Sequence, residues 1–487
     1  MKTSLLKNGF YNTAGGVLRL GLGIITIPLL IRQLGVEEYG LWTLASAVIG
    51  VVTLAEAGLS TATTVFVAQD LGEEDVAGLS QTLTVTVTMM LVMATLAAVG
   101  LWFGADLITH LFPQLQPLQQ VEVSRAFQVG AVAVWARLVQ QVLVGVEQAY
   151  QRYDLVNLIG TMQSLLTSIG MLSIVWWGGR TLELMTWQAV ASVFILLSHV
   201  WIVRSLLRNT SIRVAWVKEK ATEVGKYSSM VWLSSLGGVL FSRVDRLIVG
   251  STLGTQVLGV YSAITDITGQ INVMSALPVQ PLVPLLSKLM SNKDIHQSEL
   301  KRQIGHSLRT NSLVAVGLGA GLITLSPVCL NFLFAGKVEG DKLLLFCVCC
   351  AIYAIYSTNA VGYFMLIGIK EMNICTSIVS ISGAISILLI LFGSRSFGLA
   401  GAIYGNAGYC LTLLLSVVAM KKVNLSLKIL IESLSFPLLF LLSVFIANYF
   451  IDSNIIVRSS ACIFQTSIII GWYFRDTILS PKPPKYN

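Results

Sequence analysis

Residues 80–103 read SQTLTVTVTMMLVMATLAAVGLWF, a run without a single charged side chain. A helix of about 20 apolar residues is long enough to span the hydrocarbon core of a bilayer. The run is too long for a strand of a membrane barrel, which needs about ten residues of alternating polarity. Because lipid offers no partners to unpaired backbone groups, we predict a membrane-spanning helix here.

Thirteen further apolar segments are spaced along the 487 residues. They predict an all-α polytopic membrane protein with about 14 transmembrane helices, since no long polar block remains for a globular domain. The other predicted spans are 10–31, 40–68, 126–147, 155–177, 185–203, 228–251, 257–286, 310–334, 343–367, 373–393, 398–419, 429–450 and 456–474.

The composition excludes other classes of protein. The chain is 55% hydrophobic and only 11% charged, with a mean hydropathy of +0.77, whereas soluble domains carry about 25% charged residues. A soluble enzyme, a disordered protein and a disulfide scaffold are therefore excluded. Neither the seven cysteines nor the four histidines have the spacing of metal ligands, and no phosphate-binding loop is present. We predict no metal, no cofactor and no catalytic set.

The basic residues indicate the orientation in the membrane. With the N-terminus inside, 21 of the 32 Lys and Arg residues lie in the termini and loops of the inner side, 6 lie in outer loops and 5 lie within spans. This asymmetry predicts a multi-pass membrane protein with cytoplasmic N- and C-termini. The net charge of +8 is therefore interpreted as a topology signal, and no nucleic-acid partner is predicted.

The longest polar interruption separates six spans from eight. It predicts an N-lobe over 1–207, a cytoplasmic linker over 208–227, a C-lobe over 228–421, and two extra helices with a C-terminal tail over 422–487.

A ten-residue motif is repeated at the same place in both lobes. Residues 34–43 read LGVEEYGLWT, and residues 253–262 read LGTQVLGVYS. Each copy lies between the first and second span of its lobe, and an even number of spans separates the copies. We therefore predict two parallel six-helix repeats around a central cavity. The glycines predicted to form the tight turns are Gly35, Gly40, Gly254 and Gly259.

The second copy and the span before it resemble a known family. Residues 242–254 read SRVDRLIVGSTLG, and prolines follow at 278, 281 and 284. The N-lobe pattern consists of Asn12, RQLGVEEYGL over 32–41 and the Gly58-Leu59 pair. These motifs are similar to those of the polysaccharide-biosynthesis flippases, the Wzx-like branch of the multidrug/oligosaccharidyl-lipid/polysaccharide exporter superfamily. The resemblance implies alternating access to a central cavity. In the related lipid II flippases, the extra helix pair borders a groove for the lipid tail.

The resemblance also implies a function. Such a flippase translocates a lipid-linked oligosaccharide, carried on a polyprenyl pyrophosphate, across a bacterial-type inner membrane, and works among membrane lipids beside polymerase or export machinery. An H⁺ or Na⁺ gradient, or downstream consumption of the substrate, would supply the energy. One alternative is a cation-coupled multidrug exporter of the same superfamily, which would need an acidic and aromatic cavity. Another is a membrane glycan polymerase or ligase, but the longest outer loop, about 104–125, is short for a catalytic loop.

Seven ionisable residues within the predicted spans are singled out as functional candidates: Arg19, Glu56, Arg137, Arg243, Asp245, Arg246 and Asp266. A charge at mid-membrane costs about 2.5–3.5 kcal/mol on insertion scales. These side chains must therefore face a wet cavity, pair with one another or lie near an interface. Polar residues accompany some of them at helical spacing: Asn12 with Arg19, Gln141 with Arg137, and Gln270 with Asp266.

Arginine suits a substrate that carries phosphate, because the guanidinium stays charged and binds phosphate oxygens in a fork. The predicted phosphate clamp is Arg19, Arg137, Arg243 and Arg246. The predicted cavity-lining or ion-coupling residues are Asn12, Glu56, Asp245, Asp266, Gln141 and Gln270. For Arg243 and Arg246, a structural salt bridge to Asp245 or Asp266 is an alternative. Stripes of small polar residues also serve as packing faces between membrane helices.

Overall fold

The structure is a computed structural model of the chain, and its described part has gaps. The described residues are 21–23, 25–208, 210–241, 243–283, 286, 297–334, 340–369, 371–448, 450–451 and 454–479. The chain divides into two compact units, Met1–Ser262 and Ala263–Asn487. The lobe boundaries that the sequence predicts stay a prediction. Asn12 and Arg19 lie outside the described residues.

The helices of the first unit follow a short apolar helix, Gly21–Leu34. They are α1 (Val36–Val52), α2 (Leu59–Gly72), α3 (Val76–Thr109), α4 (Pro117–Ala149), α5 (Tyr153–Trp176), α6 (Thr181–Leu206), α7 (Lys218–Phe241), α8 (Val244–Leu253) and α9 (Thr255–Ala276), the last of which continues into the second unit.

The second unit contains eight further helices among its described residues. They are α10 (Gln297–Thr324), α11 (Ser326–Phe334), α12 (Gly340–Ser357), α13 (Ala360–Gly368), α14 (Met372–Gly405), α15 (Leu414–Lys422), α16 (Leu427–Ala447) and α17 (Ile455–Leu479), with a 3₁₀ segment, Asn406–Leu413, between α14 and α15.

The helices confirm an all-α polytopic membrane fold. Among the described residues, nine helical stretches are long and apolar enough to cross a membrane, and α10 with α11 forms a tenth if this pair, bent by 69°, is one span. One of the nine, Met372–Lys422, has a non-helical turn at Gly398, and the backbones of Gly393 and Gly401, on either side of this turn, touch. This stretch is therefore an antiparallel helical hairpin. The total of about 14 spans stays a prediction.

Local sequence explains several helix ends. Asp75 caps α3, because its carboxylate accepts from the backbone N–H groups of Ala77 and Gly78 at 3.0 and 2.9 Å. Ser426 caps α16 by accepting from the N–H of Lys428 at 3.2 Å. Such caps satisfy backbone donors that have no partner within the helix.

The two copies of the repeated motif adopt the same backbone turn. Gly35 has φ 82° and ψ 163°, and Gly254 has φ 83° and ψ 176°. Residues with a Cβ rarely adopt this conformation, whereas glycine does so at little cost. Each glycine directly precedes a helix, α1 in one copy and α9 in the other.

Gly40 and Gly259 make a reciprocal contact within the first unit. A Cβ on Gly40 would clash with the carbonyl oxygen of Thr255, and a Cβ on Gly259 would clash with the carbonyl oxygen of Val36. Thr255 and Val36 occupy the same position of the motif. The two contacts therefore exchange under a half-turn, as expected of copies related by a two-fold axis.

Candidate substrate cavity in the first unit

The helix that begins at Val36 is broken near its middle. A 3₁₀ turn, Thr53–Glu56, follows α1, and then Ala57 and Gly58 take left-handed conformations with φ 52° and 72° before α2 begins. The indole of Trp232 on α7 donates to the carbonyl oxygen of Leu54 at 2.8 Å. It thereby satisfies a backbone acceptor at the break, as the interior of a membrane protein requires.

A polar cavity of about 490 Å³ opens beside this break. Four stretches of the first unit line it: the break itself, the middle of α4, one residue of α5 and two of α7. The lining residues are Thr53, Leu54, Glu56, Ala57, Gly58, Thr61, Arg137, Leu138, Gln140, Gln141, Gln163, Val231 and Trp232. Three residues that the sequence singled out, Glu56, Arg137 and Gln141, lie in this one cavity.

Arg137 is the cation of the cavity wall and is held by neutral groups. Its Nε donates to Ser192 Oγ at 3.2 Å, and a terminal nitrogen donates to Gln188 Oε1 at 3.4 Å, both on α6. No carboxylate among the described residues forms an ion pair with it. Since a guanidinium has five N–H donors, the side chain retains donors for an anionic ligand.

A second arginine reinforces the positive charge. Arg243, just before α8, packs its side chain against the backbone of Gly50 on α1. It lies close enough to Arg137 for the two like charges to repel each other. An anion placed near both would relieve this repulsion, and phosphate oxygens match the geometry of guanidinium donors.

Glu56 gives the cavity its carboxylate. Its carboxylate lies near the backbone N–H of Ser60 at the start of α2, which favours its charged form. Three amide side chains complete the polar wall, and these are Gln140, Gln141 and Gln163. The wall therefore offers donors and acceptors to a polar head group, with the guanidinium of Arg137 as the site for a negative charge.

The structure places other predicted residues outside this lining. Asp245 is buried and accepts from the hydroxyl of Tyr261 at 2.9 Å. Arg246 lies one turn beyond Arg243 on α8 and is partly buried. Asp266 and Gln270 belong to the second unit, where the Gln270 amide donates to the backbone carbonyl of Asp266 at 3.1 Å. Their roles stay a prediction.

Sequence reasoning missed an ionisable pair behind the cavity. His199 Nδ1 and Glu147 Oε1 are 2.7 Å apart, and both side chains are buried, at 2% and 0% exposure. Their helices, α6 and α4, are far apart in sequence, so spacing along one helix gives no signal. The signal for this pair that the sequence does contain is that Glu147 and His199 are ionisable residues near the ends of two apolar segments.

Sequence reasoning also missed Arg458, on α17 in the second unit. This arginine is buried and donates to the carbonyl oxygen of Thr324 and to Asn448 Oδ1, both at 2.8 Å, and to the carbonyl oxygen of Ile451 at 3.0 Å. Thr324 is the last residue of α10, where the chain bends into α11. Arg458 therefore satisfies a carbonyl exposed by that bend.

The apolar helices define the class of protein, a multi-pass α-helical membrane protein. The chain belongs to the family described as polysaccharide biosynthesis protein, whose family model matches residues 5–290. This confirms the resemblance found from the two motifs.

Individual relatives agree with this assignment. The chain is 20% identical over 337 residues to a putative O-antigen transporter of Shigella flexneri. The matched region covers 69% of this chain and 76% of the relative. The fold is similar to that of the lipid II flippase MurJ in an inward closed conformation, with a TM-score of 0.75, 13% identity and coverage of 97% of this chain and 100% of that chain.

The fold is also similar to that of an inward-facing multidrug resistance MATE family transporter of the MOP superfamily. The TM-score is 0.67 at 14% identity, over 85% of this chain and 98% of that chain. At these identities, both structural likenesses show a shared fold.

Proposed function

We propose that the protein is a flippase that translocates a lipid-linked oligosaccharide by alternating access. The substrate would carry a pyrophosphate between its polyprenyl tail and its glycan. The membrane would be a bacterial-type inner membrane, with both termini on the cytoplasmic side. The family membership supports a role in polysaccharide biosynthesis, and the helical fold supports transport.

The observation that carries the proposal is Arg137 in the wall of a polar cavity. Its partners are the neutral side chains of Ser192 and Gln188, and a second arginine, Arg243, lies near it. A cation in a membrane segment is costly unless partners, water or a ligand compensate its charge. A pyrophosphate supplies the complementary negative charge and the oxygens for forked hydrogen bonds.

The test is flipping of a fluorescent lipid-linked oligosaccharide in proteoliposomes. We expect Arg137→Ala to slow flipping roughly ten- to a hundredfold, since a hydrogen bond to a charged group contributes about 1.5–3 kcal/mol. The matched control is Arg152→Ala. Arg152 lies outside the cavity, is 43% exposed and pairs with Asp154 at 3.0 Å. Wild-type flipping rates in Arg137→Ala would contradict the phosphate role.

Glu56 favours the second candidate, a cation-coupled multidrug exporter. It places a carboxylate in the same cavity as the aromatic ring of Trp232, and a lipophilic cation would bind to such a pair. The same vesicles decide between the two functions when they are loaded with a cationic dye. Dye export that is lost in Glu56→Gln and retained in Arg137→Ala would establish the exporter; lipid flipping with the opposite dependence would establish the flippase.

A further inference from the structure

The Glu147–His199 pair contains a carboxylate oxygen with no partner. Glu147 Oε1 meets His199 Nδ1 at 2.7 Å, but the second oxygen, Oε2, is buried and makes no hydrogen bond. An unsatisfied polar atom at such a depth is costly. Native structures keep such atoms where a ligand, a water or a proton completes them.

A polar chain joins this pair to the cavity wall. The amide nitrogen of Gln140 lies 3.4 Å from His199 Nε2 and 3.4 Å from Gln163 Oε1. Gln140 and Gln163 both line the cavity. The amide oxygen of Gln140 is also buried without a partner. Two orphan oxygens therefore flank the imidazole, one on each side.

The chain continues along the contact between α4 and α6. Arg137 and Glu147 lie on α4 ten residues apart, about 15 Å along the helix, and each contacts α6, Arg137 through Ser192 and Glu147 through His199. Ser192 and His199 lie on α6 seven residues apart, on one face. The phosphate-binding arginine and the Glu147–His199 pair thus connect the same two helices.

One charged group on the surrounding elements acts directly on the pair. Arg152, at the start of α5, pairs with Asp154 at 3.0 Å, and its positive charge also acts on Glu147, whose backbone carbonyl accepts from the Arg152 N–H at 2.9 Å. Asp70 on α2 lies 3.9 Å from Lys220 on α7. The remaining groups are Arg204 near the end of α6, which is exposed, and Tyr150 at the end of α4. On the side of α3, the residues packed against Val146 are the apolar Leu79 and Leu83.

The protonation state of His199 determines which hydrogen bonds it forms with Glu147 and Gln140. A neutral His199 donates from Nδ1 to Glu147 and accepts at Nε2 from the amide of Gln140, which matches the arrangement in the structure. A protonated imidazole has a donor at Nε2 as well, and it then needs an acceptor. Rotation of the Gln140 amide by a half-turn would present its oxygen there. The rotation would also place that oxygen against the oxygen of Gln163, and so would open the contact between Gln140 and Gln163.

We propose that Glu147, His199 and Gln140 form a proton-binding site that couples transport to the pH gradient. Protonation of His199 rotates the Gln140 amide and thereby changes the hydrogen-bonding wall of the cavity beside Arg137. This inference rests on the proposed flippase function for its coupling step. The binding of the proton itself does not depend on that function. Histidine suits the role because its charge changes near neutral pH.

The first experiment measures flipping in proteoliposomes with an imposed pH gradient. One coupled proton per lipid allows a gradient of one pH unit to bias the distribution by up to about tenfold. We expect this bias in the wild type and its loss in His199→Gln, which keeps a hydrogen-bonding side chain but does not titrate. The matched control is His110→Gln, at an exposed histidine at the end of α3, and we expect it to behave as wild type.

The second experiment is an infrared pH titration of the purified protein without substrate. We expect an imidazole protonation signal that is absent in His199→Gln and altered in Glu147→Gln. Gln140→Leu should weaken this signal and lose the gradient response, because leucine cannot accept from the protonated ring. A His199→Gln protein with a wild-type gradient response would overturn the proposal. So would a wild-type titration that lacks the His199 signal.

The two experiments separate the two proposals. If the wild-type protein flips no lipid, the proposed function fails, and the infrared titration still decides whether the site binds a proton. If the wild-type protein flips lipid without any response to the gradient, the proton-coupling inference fails alone. Melting temperatures of the variants show whether each substituted protein is folded.

Discussion

Arg137 and Arg458 are two arginines in apolar helices, and their surroundings differ. In the first unit, Arg137 makes long hydrogen bonds of 3.2 and 3.4 Å to two neutral side chains and faces a cavity. In the second unit, Arg458 is 4% exposed and bonds at 2.8–3.0 Å to the carbonyl oxygens of Thr324 and Ile451 and to Asn448.

This difference separates an arginine that stabilises the fold from one available to a ligand. The acceptors of Arg458 include the last carbonyl of a helix, which would otherwise be unsatisfied in an apolar surrounding. The acceptors of Arg137 are the side chains of Ser192 and Gln188, to which other groups could donate hydrogen bonds instead. Arg458 should therefore matter for stability and Arg137 for transport. Three substitutions test this contrast.

The largest effect on stability is expected for Arg458→Ala. The change removes the donor to three acceptors, each costing about 1–3 kcal/mol when buried without a partner, so we expect a loss of about 3 kcal/mol or more. Thermal unfolding in detergent measures it as a lower Tm. The control is Lys428→Ala, since Lys428 is 80% exposed and lies 3.8 Å from Glu432, a pair that contributes about 0–1 kcal/mol. Equal Tm values for the two variants would show that Arg458 is not structural.

An intermediate effect is expected for Arg458→Lys. Lysine keeps the charge but has a single ammonium in place of the planar fork, and it cannot reach Thr324 and Ile451 in the same geometry. We expect about half the loss of Arg458→Ala, again measured as a Tm. A lysine variant as unstable as the alanine variant would mean that shape, rather than charge, dominates at this site.

The smallest effect on stability is expected for Arg137→Ala. Removal of a buried cation that has only neutral partners also removes the free-energy cost of burying it. The free energy of unfolding should therefore stay within about 0.5 kcal/mol of wild type or rise. The same preparation supplies the flipping assay, which should show the loss of transport. A stability loss as large as that of Arg458→Ala would erase the distinction between the two arginines.

Sequence reasoning found the residues that spacing along one helix can indicate. The cost of a charge in a membrane singled out Arg137 and Glu56, and the helical period added Gln141; all three line one cavity. The repeated motif led to the correct family, because its glycines and their spacing are local features. No contact across helices was needed for either inference.

The rest depends on contacts between distant segments. Arg458 lies near the start of the last predicted span, and its importance follows from a helix bend more than a hundred residues earlier. Pro327, two residues into α11, is the local signal of that bend, since proline cannot continue a helix in its interior. Likewise, Glu147 and His199 are 52 residues apart and meet only through helix packing.

The reciprocal contact of Gly40 and Gly259 has a mechanical consequence. Each glycine touches a carbonyl of the opposite motif copy, and the two contacts lie symmetrically about one axis. Rotation of α1 against α9 about that axis keeps both contacts nearly unchanged. A slide along either helix would force one glycine into a bulkier neighbour. We therefore expect the crossing to act as a pivot that permits rocking and resists shear.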